Sequence, residues 1–582
     1  MKRFSTLVLS LLVCGSFVFA KSKEVRIKLI ETSDIHGAYY PYNFIEDKPM
    51  DGSMARVATL VKEERKKHGK KNVIVLENGD YLQGQPSAYY YNFMDTTSTH
   101  LGADILNYIG YNAMSIGNHD IETGRPVFDR FVNDLQFPML GANVIDRTTG
   151  KPYFKPYEVF TVDGIKIAVL GMITPAIPAW LPETLWQGLQ FDDMEETAKK
   201  WIPIIQKEVN PDAIVGLFHA GQNEVLMSDK FRDNASLSVA QNVPGFDVVL
   251  MGHDHRADNR KVANVAGDSV LIINPASNGR YVSEVELVFK KKRDKIVGKE
   301  VIGKLVDMKN VQPDADFMNK FKPQFDIVKE FVSMPIGDFA SDVDSRPAYF
   351  GPSAFIDLIH QLQLAISGAD ISITAPLSFR SEIKEGTIRV RDMFNLYKYE
   401  NMLYVMNLTG KEVKGLLEES YARWANQMKS PEDHLLLLKQ DTKSGNERQV
   451  FANMSFNFDS GAGIIYTVDV TKPEGERINI ISMADGSPFD LNKSYKVALN
   501  SYRGNGGGDL LTKGAGIPQD ELKSRIITAT NKDLRYYLME YIKKEGKLNP
   551  QPLNQWKFIP EEWTVPAAKR DYMLIFGEEM PN

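Results

Sequence analysis

The sequence predicts an α/β protein of two domains, with a layered α/β domain in the N-terminal half. The first observation is a series of short apolar runs between residues 22 and 300, each bounded by turn residues. The second is that polar stretches of helical character separate these runs. The runs are Val25–Ile30, Val73–Leu76, Ala113–Ile116, Ala213–Phe218 and Val248–Met251, and the helical stretches include Met54–Lys66, Ala103–Ile109, Arg125–Leu135 and Glu195–Lys207. Short apolar runs predict buried strands, and their alternation with helices predicts sheets covered by helices.

Three further apolar segments complete the predicted first domain. Gly164–Gly171 alternates like one strand of a hairpin, and Leu271–Ile273 and Val282–Phe289 flank a turn that contains Pro275 and Gly279. Alternating apolar residues beside turn residues are typical of paired strands. We therefore expect these segments to close the sheets of this domain.

Each of the five main runs is followed by side chains that can bind a metal ion. The segments are Asp34-Ile35-His36-Gly37, Asn78-Gly79-Asp80, Gly117-Asn118-His119-Asp120, His219 alone, and Gly252-His253-Asp254-His255. Ligands of open α/β sheets bind outside the carboxyl ends of the strands, so these side chains are expected to converge on one rim. Carboxylate, amide and imidazole donors suit Zn, Mn, Fe or Co.

The number of candidate ligands fits two metal ions. The seven candidates are Asp34, His36, Asp80, Asn118, His219, His253 and His255. One carboxylate shared between the ions would let seven residues fill two four-ligand shells. Two neighbouring ions activate water and stabilise an in-line displacement at phosphorus. Each motif alone is a weak signal, because a lone histidine is usually a hydrogen-bonded core or surface residue. The ordered set is a strong one, since five of the nine histidines fall at these strand ends.

This ordered set resembles the calcineurin-like metallophosphoesterase superfamily. Gly79-Asp80-Tyr81-Leu82-Gln83-Gly84, Gly141-Ala142-Asn143 and Met54-Ala55-Arg56 are similar to the bacterial 5′-nucleotidase family. The resemblance implies a layered α/β-β-α fold and two divalent ions, such as Zn, Mn or Co. It assigns Asp34, His36, Asp80 and His255 to the first ion, and Asp80, Asn118, His219 and His253 to the second.

The resemblance also implies that His119 is the catalytic histidine and that Asn118 acts beside it on the phosphate. An acidic residue is expected to orient His119. Asp120 is adjacent in sequence and Glu122 lies three residues on, and both are candidates.

Composition and the N-terminus indicate an exported protein. The chain has 582 residues and a net charge of −6, so a nucleic-acid polymer is not an expected partner. Lys2-Arg3, the apolar Leu7–Val13 and Val18-Phe19-Ala20 have the pattern of a secretory signal that is cleaved after Ala20. We expect a mature protein without a membrane span, monomeric, in a bacterial periplasm or at the cell surface. The single cysteine, Cys14, would leave with the signal, and lipidation at Cys14 is the alternative.

The expected domain boundaries follow from changes in pattern along the chain. They are a signal at 1–20, a metallophosphoesterase domain at 21–310, a connecting helix at 311–335 and a C-terminal α/β specificity domain at 336–582. The alternative for 311–335 is one more helix of a domain. The tail from Pro560 carries Trp563, Tyr572 and Phe576 and is expected to pack.

The C-terminal half has no metal pattern, and its aromatic loops indicate a nucleotide-specificity domain. It resembles the 5′-nucleotidase C-terminal domain, closest to the 2′,3′-cyclic-nucleotide 2′-phosphodiesterase/3′-nucleotidase branch. The similar segments are Ala375-Pro376-Leu377-Ser378-Phe379, Arg391-Asp392-Met393-Phe394, Leu396–Asn401 and Leu499–Arg503. In that branch two tyrosines enclose the base, which would be Tyr399 and Tyr502 here. Tyr397 is the alternative to Tyr399, and Phe458 is held in reserve.

Two further substrate contacts are expected at Arg380 and Asp509. Plain 5′-nucleotidases carry an Asn-Gly-Gly-Gly-Ile-Arg loop, of which only Arg380 remains here. That departure favours 2′,3′-cyclic nucleotides, hydrolysed to 3′-nucleotides and then to nucleosides and phosphate. A broad 5′-nucleotidase or nucleotide-sugar hydrolase is the first alternative, and a secreted binding protein without catalysis is the second.

Overall fold

The computed structural model describes residues 23–227, 230–292, 295–441 and 448–581. The expected signal sequence and Cys14 lie outside these residues. Within the described ranges, no helix is both long enough and apolar enough to cross a membrane.

The first domain is built on two six-stranded sheets. In spatial order the first contains Lys295–Asp307, Tyr281–Lys292, Lys23–Thr32, Val73–Glu77, Ala113–Ser115 and Met139–Leu140. The second contains Asp258–Ala263, Ser269–Asn274, Val248–Met251, Ala213–His219, Ile165–Ile173 and Tyr157–Val162. The strands that precede the candidate ligands run parallel to one another within each sheet. Their carboxyl ends therefore lie at the same edge.

Three apolar layers hold the sheets and helices together. Ile27 and Leu29 of the first sheet face Val215 and Leu250 of the second in the core between the sheets. Helices Met54–His68, Leu101–Ile109 and Arg125–Asp134 pack on the outer face of the first sheet, and Met194–Val209 and Ser236–Asn242 cover the second. This arrangement confirms the predicted α/β-β-α layering.

The predicted strands and helices of this domain are present, together with strands that were not predicted, among them Tyr157–Val162, Asp258–Ala263 and Lys295–Asp307. Strand Lys295–Asp307 was not predicted, because charged residues and glycine interrupt its apolar positions. It pairs antiparallel with Tyr281–Lys292 along the sheet edge. An edge strand needs only one buried face, so its apolar pattern is weak.

The predicted single connecting helix is two helices, Ala315–Lys320 and Lys322–Ser333. The break falls at Phe321, which caps both helices, and a proline occupies the first turn of the second helix. The first helix docks on the first domain, where the Tyr40 hydroxyl donates to the Phe321 carbonyl at 2.9 Å. The second helix buries Phe331 against Tyr90 at 5.2 Å between ring centres. The connector is therefore part of a core that continues into the second domain.

The second domain centres on a five-stranded mixed sheet. Its strands in order are Ser460–Ala462, Ile371–Thr374, Ser494–Asn500, Met402–Thr409 and Ile526–Asp533. Two three-stranded sheets adjoin it: Gly386–Arg389, Pro335–Phe339 and Lys547–Leu548; and Ile478–Met483, Ile464–Asp469 and Trp556–Ile559. The longer helices are Ala354–Ser367, Val390–Leu396, Gly410–Trp424, Leu534–Glu545 and Glu561–Phe576. Tyr572 and Phe576 of the last helix are buried, so the tail packs as predicted.

Candidate metal centre

The loops after the parallel strands bring two groups of ligand-type side chains together. One ligand atom from each of Asp34, His36, Asp80 and His255 lies within 4.8 Å of the others. A second group consists of Asp80, His219 and His253 within the same limit. The Asn118 carboxamide oxygen is 3.1 Å from His219 Nε2. All seven sequence candidates therefore meet at one edge, and Asp80 belongs to both groups.

The backbone at these residues has an uncommon conformation. Asp34, His36, Asp80, His253 and His255 all have positive φ, between 50° and 72°. Residues other than glycine rarely adopt this region, and each instance costs about 1–3 kcal/mol where the conformation is poorly tolerated. A fold that holds five such residues at one rim supports strained turns there, as functional sites often do.

In three of the candidate histidines, one ring nitrogen lies within hydrogen-bond distance of an oxygen acceptor. His36 Nδ1 lies 3.2 Å from the Gln83 carbonyl oxygen and 3.1 Å from Gln83 Oε1. His219 Nδ1 lies 2.6 Å from the Asn78 carbonyl oxygen. His253 Nε2 lies 3.2 Å from Asp233 Oδ1. Such partners fix the tautomer of a metal-ligating histidine and leave its other nitrogen unprotonated.

The donor set fits a cation. Because His36 Nδ1 faces only acceptors, it carries the proton, and the lone pair of His36 Nε2 points at His255 Nε2, 2.9 Å away. Asp34 Oδ1 lies 3.2 Å from that same His255 nitrogen. Lone pairs and carboxylate oxygens that converge in this way need either a proton on His255 Nε2 or a metal ion between them. A divalent ion with nitrogen and oxygen ligands meets that requirement.

Because Gly117 has no side chain, the loop that carries Asp80 can approach the start of the helix Asn118–Glu122. A Cβ on Gly117 would lie 2.2 Å from the Asp80 amide nitrogen and 2.3 Å from Asp80 Oδ1. The His119 amide then donates to Asp80 Oδ1 at 2.8 Å. The sequence places glycine here because no larger residue would leave room for the shared carboxylate.

Asp120 organises the loop that carries Asp80. Within the described residues, its carboxylate makes no hydrogen bond to the His119 ring. Its carboxylate accepts from the amides of Asp80, Tyr81, Leu82 and Gly117 at 2.8–3.0 Å. The expectation that Asp120 acts directly in catalysis is therefore not supported by its position. In the helix Asn118–Glu122 an adjacent residue points away from its neighbour.

Replacing Asp120 tests this structural role. Asp120→Asn puts an amide group where four backbone N–H groups need an acceptor, so at least one donor loses its partner. We expect the free energy of unfolding to fall by about 1–3 kcal/mol, the cost of leaving a buried donor without an acceptor. Denaturant titration measures the loss. A variant of unchanged stability would contradict the role.

Glu122, three residues after His119, is the acidic partner of the histidine. Glu122 Oε2 contacts His119 Nδ1 in a short hydrogen bond. Burial lowers the pKa of His119, but the carboxylates of Asp80 and Glu122 outweigh it and raise the pKa to about 9. While Asp80 carries no metal ion, His119 is thus held protonated, with Glu122 on its Nδ1.

Two tyrosines of the second domain lie half-buried near this histidine. Burial and the nearby carboxylate of Glu122 raise the pKa of Tyr399, and Tyr502 adds to the shift. Tyr399 therefore lies within electrostatic range of both Glu122 and Tyr502, and both tyrosines are half-buried. Tyr397, the alternative to Tyr399, is fully buried.

Phe458 is a core residue, which corrects its place among the substrate contacts. Its ring stacks on Trp424 at 5.4 Å and 5° and has no exposed surface. Phe456, two residues earlier, is half-buried and meets Tyr502 edge-on at 6.3 Å. The short 3₁₀ turn Ser455–Asn457 points the two phenylalanines in different directions.

Arg380 is engaged at the C-terminal helix, whereas Asp509 lies within electrostatic range of Tyr502, whose pKa burial raises and Asp509 raises further. Arg380 donates to the Phe576 carbonyl, and its guanidinium lies 5.5 Å over the Phe576 ring. Arg380 is therefore tied to the C-terminal helix. Asp509 is exposed and lies 3.7 Å from Arg423. Neither side chain reaches toward the metal ligands in this arrangement.

Two residues that the sequence analysis missed support the centre. Asp233 fixes His253, and Thr174 donates to Asp233 at 2.8 Å. Trp180 stacks on the other face of His253 at 5.5 Å and 29°. The helix Ile177–Trp180 also contacts the helix Ser501–Gly504, which carries Tyr502. Both residues follow strands whose ends reach this rim, and that position is the signal that identifies them.

Comparisons with known proteins agree with both halves of the fold. Residues 27–257 match the calcineurin-like phosphoesterase family, and residues 333–513 match the 5′-nucleotidase C-terminal domain. A 2′,3′-cyclic-nucleotide 2′-phosphodiesterase/3′-nucleotidase from Haemophilus influenzae is 26% identical, over 94% of this chain and 90% of its own length. A trifunctional nucleotide phosphoesterase protein from Bacillus subtilis is also 26% identical over 93% of this chain, which spans only 39% of that protein.

A provisionally assigned 5′-nucleotidase from Staphylococcus aureus has the same fold. Its crystal structure matches 92% of this chain and all of its own with a TM-score of 0.76, at 20% identity. The two matched domains, in this order, together with the clustered Asp and His ligands, identify a metal-dependent phosphoric ester hydrolase. The chain belongs to the calcineurin-like metallophosphoesterases that carry a 5′-nucleotidase C-terminal domain.

Proposed function

We propose that this protein is an exported nucleotide phosphohydrolase with two divalent ions, which hydrolyses 2′,3′-cyclic nucleotides to 3′-nucleotides and then to nucleosides and phosphate. The observation that carries the proposal is Asp80, which is shared by two ligand groups and accepts a hydrogen bond from the His119 amide. The similarity to 2′,3′-cyclic-nucleotide 2′-phosphodiesterase/3′-nucleotidases over nearly the whole chain supports the substrate class.

Seven residues would hold the two ions. Asp34, His36, Asp80 and His255 form the first site, and Asp80, Asn118, His219 and His253 the second. Nitrogen and oxygen donors of this kind suit Zn, Mn or Co. When bound, such ions neutralise charge on the phosphoryl oxygens and lower the pKa of water so that it can attack near neutral pH.

The chain's own residues orient the ester and supply a proton. Water adds to phosphorus as the bond to the 2′-oxygen breaks, and the leaving oxygen takes up a proton. His119, whose pKa is raised to about 9, faces the phosphate as a donor and stabilises the charge that develops on it. Glu122 fixes the His119 ring. The same groups serve the second hydrolysis, in which the bond to the 3′-oxygen breaks.

The base would lie between Tyr399 and Tyr502. Burial, Glu122 and Tyr502 raise the pKa of Tyr399, so the two tyrosines lie within electrostatic range of one another, and both are half-buried. Gly507 lies against the Tyr502 ring, where a Cβ would approach ring atoms to 2.6 Å. That close packing fixes one wall of the proposed base site.

The proposal also includes the export of the protein, its oligomeric state and its domain boundaries. The chain is cleaved after Ala20 and acts as a monomer in a periplasm or at a cell surface. Residues 21–310 form the metallophosphoesterase domain, 311–335 the connector and 336–582 the specificity domain. N-terminal sequencing of the protein secreted from its host tests the cleavage site.

A substrate comparison tests the activity. We expect kcat/KM for 2′,3′-cyclic AMP and 3′-AMP to exceed that for 5′-AMP in the presence of Mn, Co or Zn salts. Equal or greater efficiency on 5′-AMP would instead favour a broad 5′-nucleotidase.

Replacing the tyrosines tests the base site separately. Loss of one base–aromatic stack costs about 1–3 kcal/mol, so Tyr399→Ala and Tyr502→Ala should each raise KM for 2′,3′-cyclic AMP by about 5–150-fold. Hydrolysis of 1-O-methylribose 2′,3′-cyclic phosphate, which has no base and no aromatic ring, should change little. Phe458→Leu is the matched control, because its ring lies in the core. Equal losses on both substrates would contradict a base-binding role.

A further inference from the structure

Helix Leu534–Glu545 begins directly against the loop that carries Tyr399. The Leu534 amide donates to the Asn401 carbonyl at 2.8 Å. The Arg535 guanidinium donates to the Tyr397 carbonyl at 3.2 Å and to the Lys398 carbonyl at 2.7 Å. Three backbone carbonyls, on both sides of Tyr399, are therefore fixed by the first two residues of one helix.

Arg535 is buried between charged and aromatic groups. It has no exposed surface, and its Nη1 lies 3.4 Å from Glu400 Oε1. Its guanidinium lies 4.1 Å over the Phe394 ring and 5.1 Å over the Tyr89 ring. A buried arginine is stable only when its donors and charge are satisfied, and here the loop and the two rings satisfy them.

Tyr89 connects this cluster to the metal-binding domain. It belongs to the helix Pro86–Tyr89, which follows the loop that contains Asp80. The Tyr89 hydroxyl donates to Asp533 Oδ2 at 3.4 Å, and Asp533 caps the helix of Arg535. Arg535 thus contacts the Tyr399 loop on one side and an aromatic residue of the first domain on the other.

We infer that Arg535 is a positioning residue for nucleotide specificity: it holds the loop Tyr397–Asn401 so that Tyr399 faces the base. This inference rests on the proposed function, because it assumes that Tyr399 binds the base. Only arginine suits the position. Its rigid planar fork reaches three acceptors while its flat face stacks on rings, whereas lysine offers a single ammonium group.

The inference predicts a selective effect on nucleotide binding. Arg535→Lys keeps the positive charge but loses the fork, so the Tyr399 loop loses a fixed position. KM for 2′,3′-cyclic AMP should rise about tenfold, within the range for losing one base–aromatic stack, while kcat changes by less than about threefold. For 1-O-methylribose 2′,3′-cyclic phosphate, kcat/KM should also stay within about threefold, because that ester has no aromatic ring to stack.

Arg477→Lys is the matched control. Arg477 is a buried arginine of the same domain that donates to the carbonyls of Tyr421 and Ala425 at 3.2 and 2.8 Å. Its partners lie outside the Tyr399 loop. This variant should lose stability without changing the ratio of the two substrates' kcat/KM values.

The outcomes separate this inference from the proposed function. If the folded Arg535→Lys variant keeps its KM for 2′,3′-cyclic AMP, or loses both activities in parallel, the positioning role is wrong. If the unchanged protein has no preference for nucleotides over the base-free ester, the proposed function is wrong instead. If thermal melting shows that Arg535→Lys does not fold, Glu400→Gln decides. Glu400→Gln weakens the contact between residue 400 and Arg535, and it should raise KM for 2′,3′-cyclic AMP about two- to fivefold, since the base would stack less well on Tyr399. An unchanged KM would overturn the positioning role of Arg535.

Discussion

Asp80→Ala is expected to abolish hydrolysis, with kcat/KM falling by at least about 10³-fold for every phosphate ester, the scale on which loss of one group that stabilises developing charge acts. Asp80 belongs to both ligand groups, so its removal takes a carboxylate from each at once. Burial would raise its pKa, but His219 and His119 outweigh burial and hold the pKa well below the usual range. Asp80 is therefore a carboxylate at neutral pH. Metal analysis of the purified variant should show lost metal together with lost turnover.

Asp316→Ala is the matched control for Asp80. Asp316 is an exposed aspartate of the connector, paired with Lys62 on the surface. Exposed ion pairs contribute little to stability, so this variant should keep its metal and its activity. Full turnover in Asp80→Ala, with metal analysis unchanged, would refute a catalytic metal centre at this rim.

His119→Asn is expected to lower kcat by about 10²–10⁴-fold, the usual contribution of a general acid or base. His119 lies outside both ligand groups, and its Nδ1 is occupied by Glu122. The variant should therefore keep the metal content of the unchanged protein, which distinguishes it from Asp80→Ala. Metal content and kcat measured on the same preparation provide the check. Loss of metal in His119→Asn would indicate that this histidine is a ligand.

Glu122→Gln tests the orienting role in the same assay. The amide can still contact His119 Nδ1 but cannot hold the pKa of the histidine as high, so kcat should fall less than in His119→Asn. The decline of activity at alkaline pH should begin at a lower pH than in the unchanged protein. His434→Asn is the control, because His434 is far along the chain and pairs with Asp571 at the C-terminal helix. An unchanged pH profile in Glu122→Gln would contradict its role.

The choice between Asp120 and Glu122 was accessible from sequence alone. Residues three apart share one face of a helix, and adjacent residues do not. His119 and Glu122 lie three apart in the helix Asn118–Glu122, so they meet. The spacing did not indicate that Asp120 accepts hydrogen bonds from the Asp80 loop. Three of its four backbone donors lie in that loop, 38–40 residues earlier in the chain.

The base site shows where local pattern stops being informative. Phe456 and Phe458 lie in one short segment, and each has polar neighbours in the sequence. The local pattern therefore does not distinguish a substrate contact from a core residue. Only the packing of Trp424 decides that Phe458 belongs to the core. Arg380 likewise matches a family position in sequence, but the C-terminal helix, almost 200 residues later, engages it.

The sequence by itself determined an α/β fold of layered sheets and helices and the set of candidate ligands, and its family resemblance implied the α/β-β-α layering. Strand periodicity and strand-end residues are local properties, and parallel strands necessarily bring their carboxyl ends to one edge. The tertiary structure alone decided which half-buried tyrosine lies within electrostatic range of Glu122, and that Asp233, Trp180 and Arg535 support the site. Those relations join residues hundreds of positions apart through packing and hydrogen bonds. No local pattern encodes such contacts, because they depend on how separately formed layers and domains pack together.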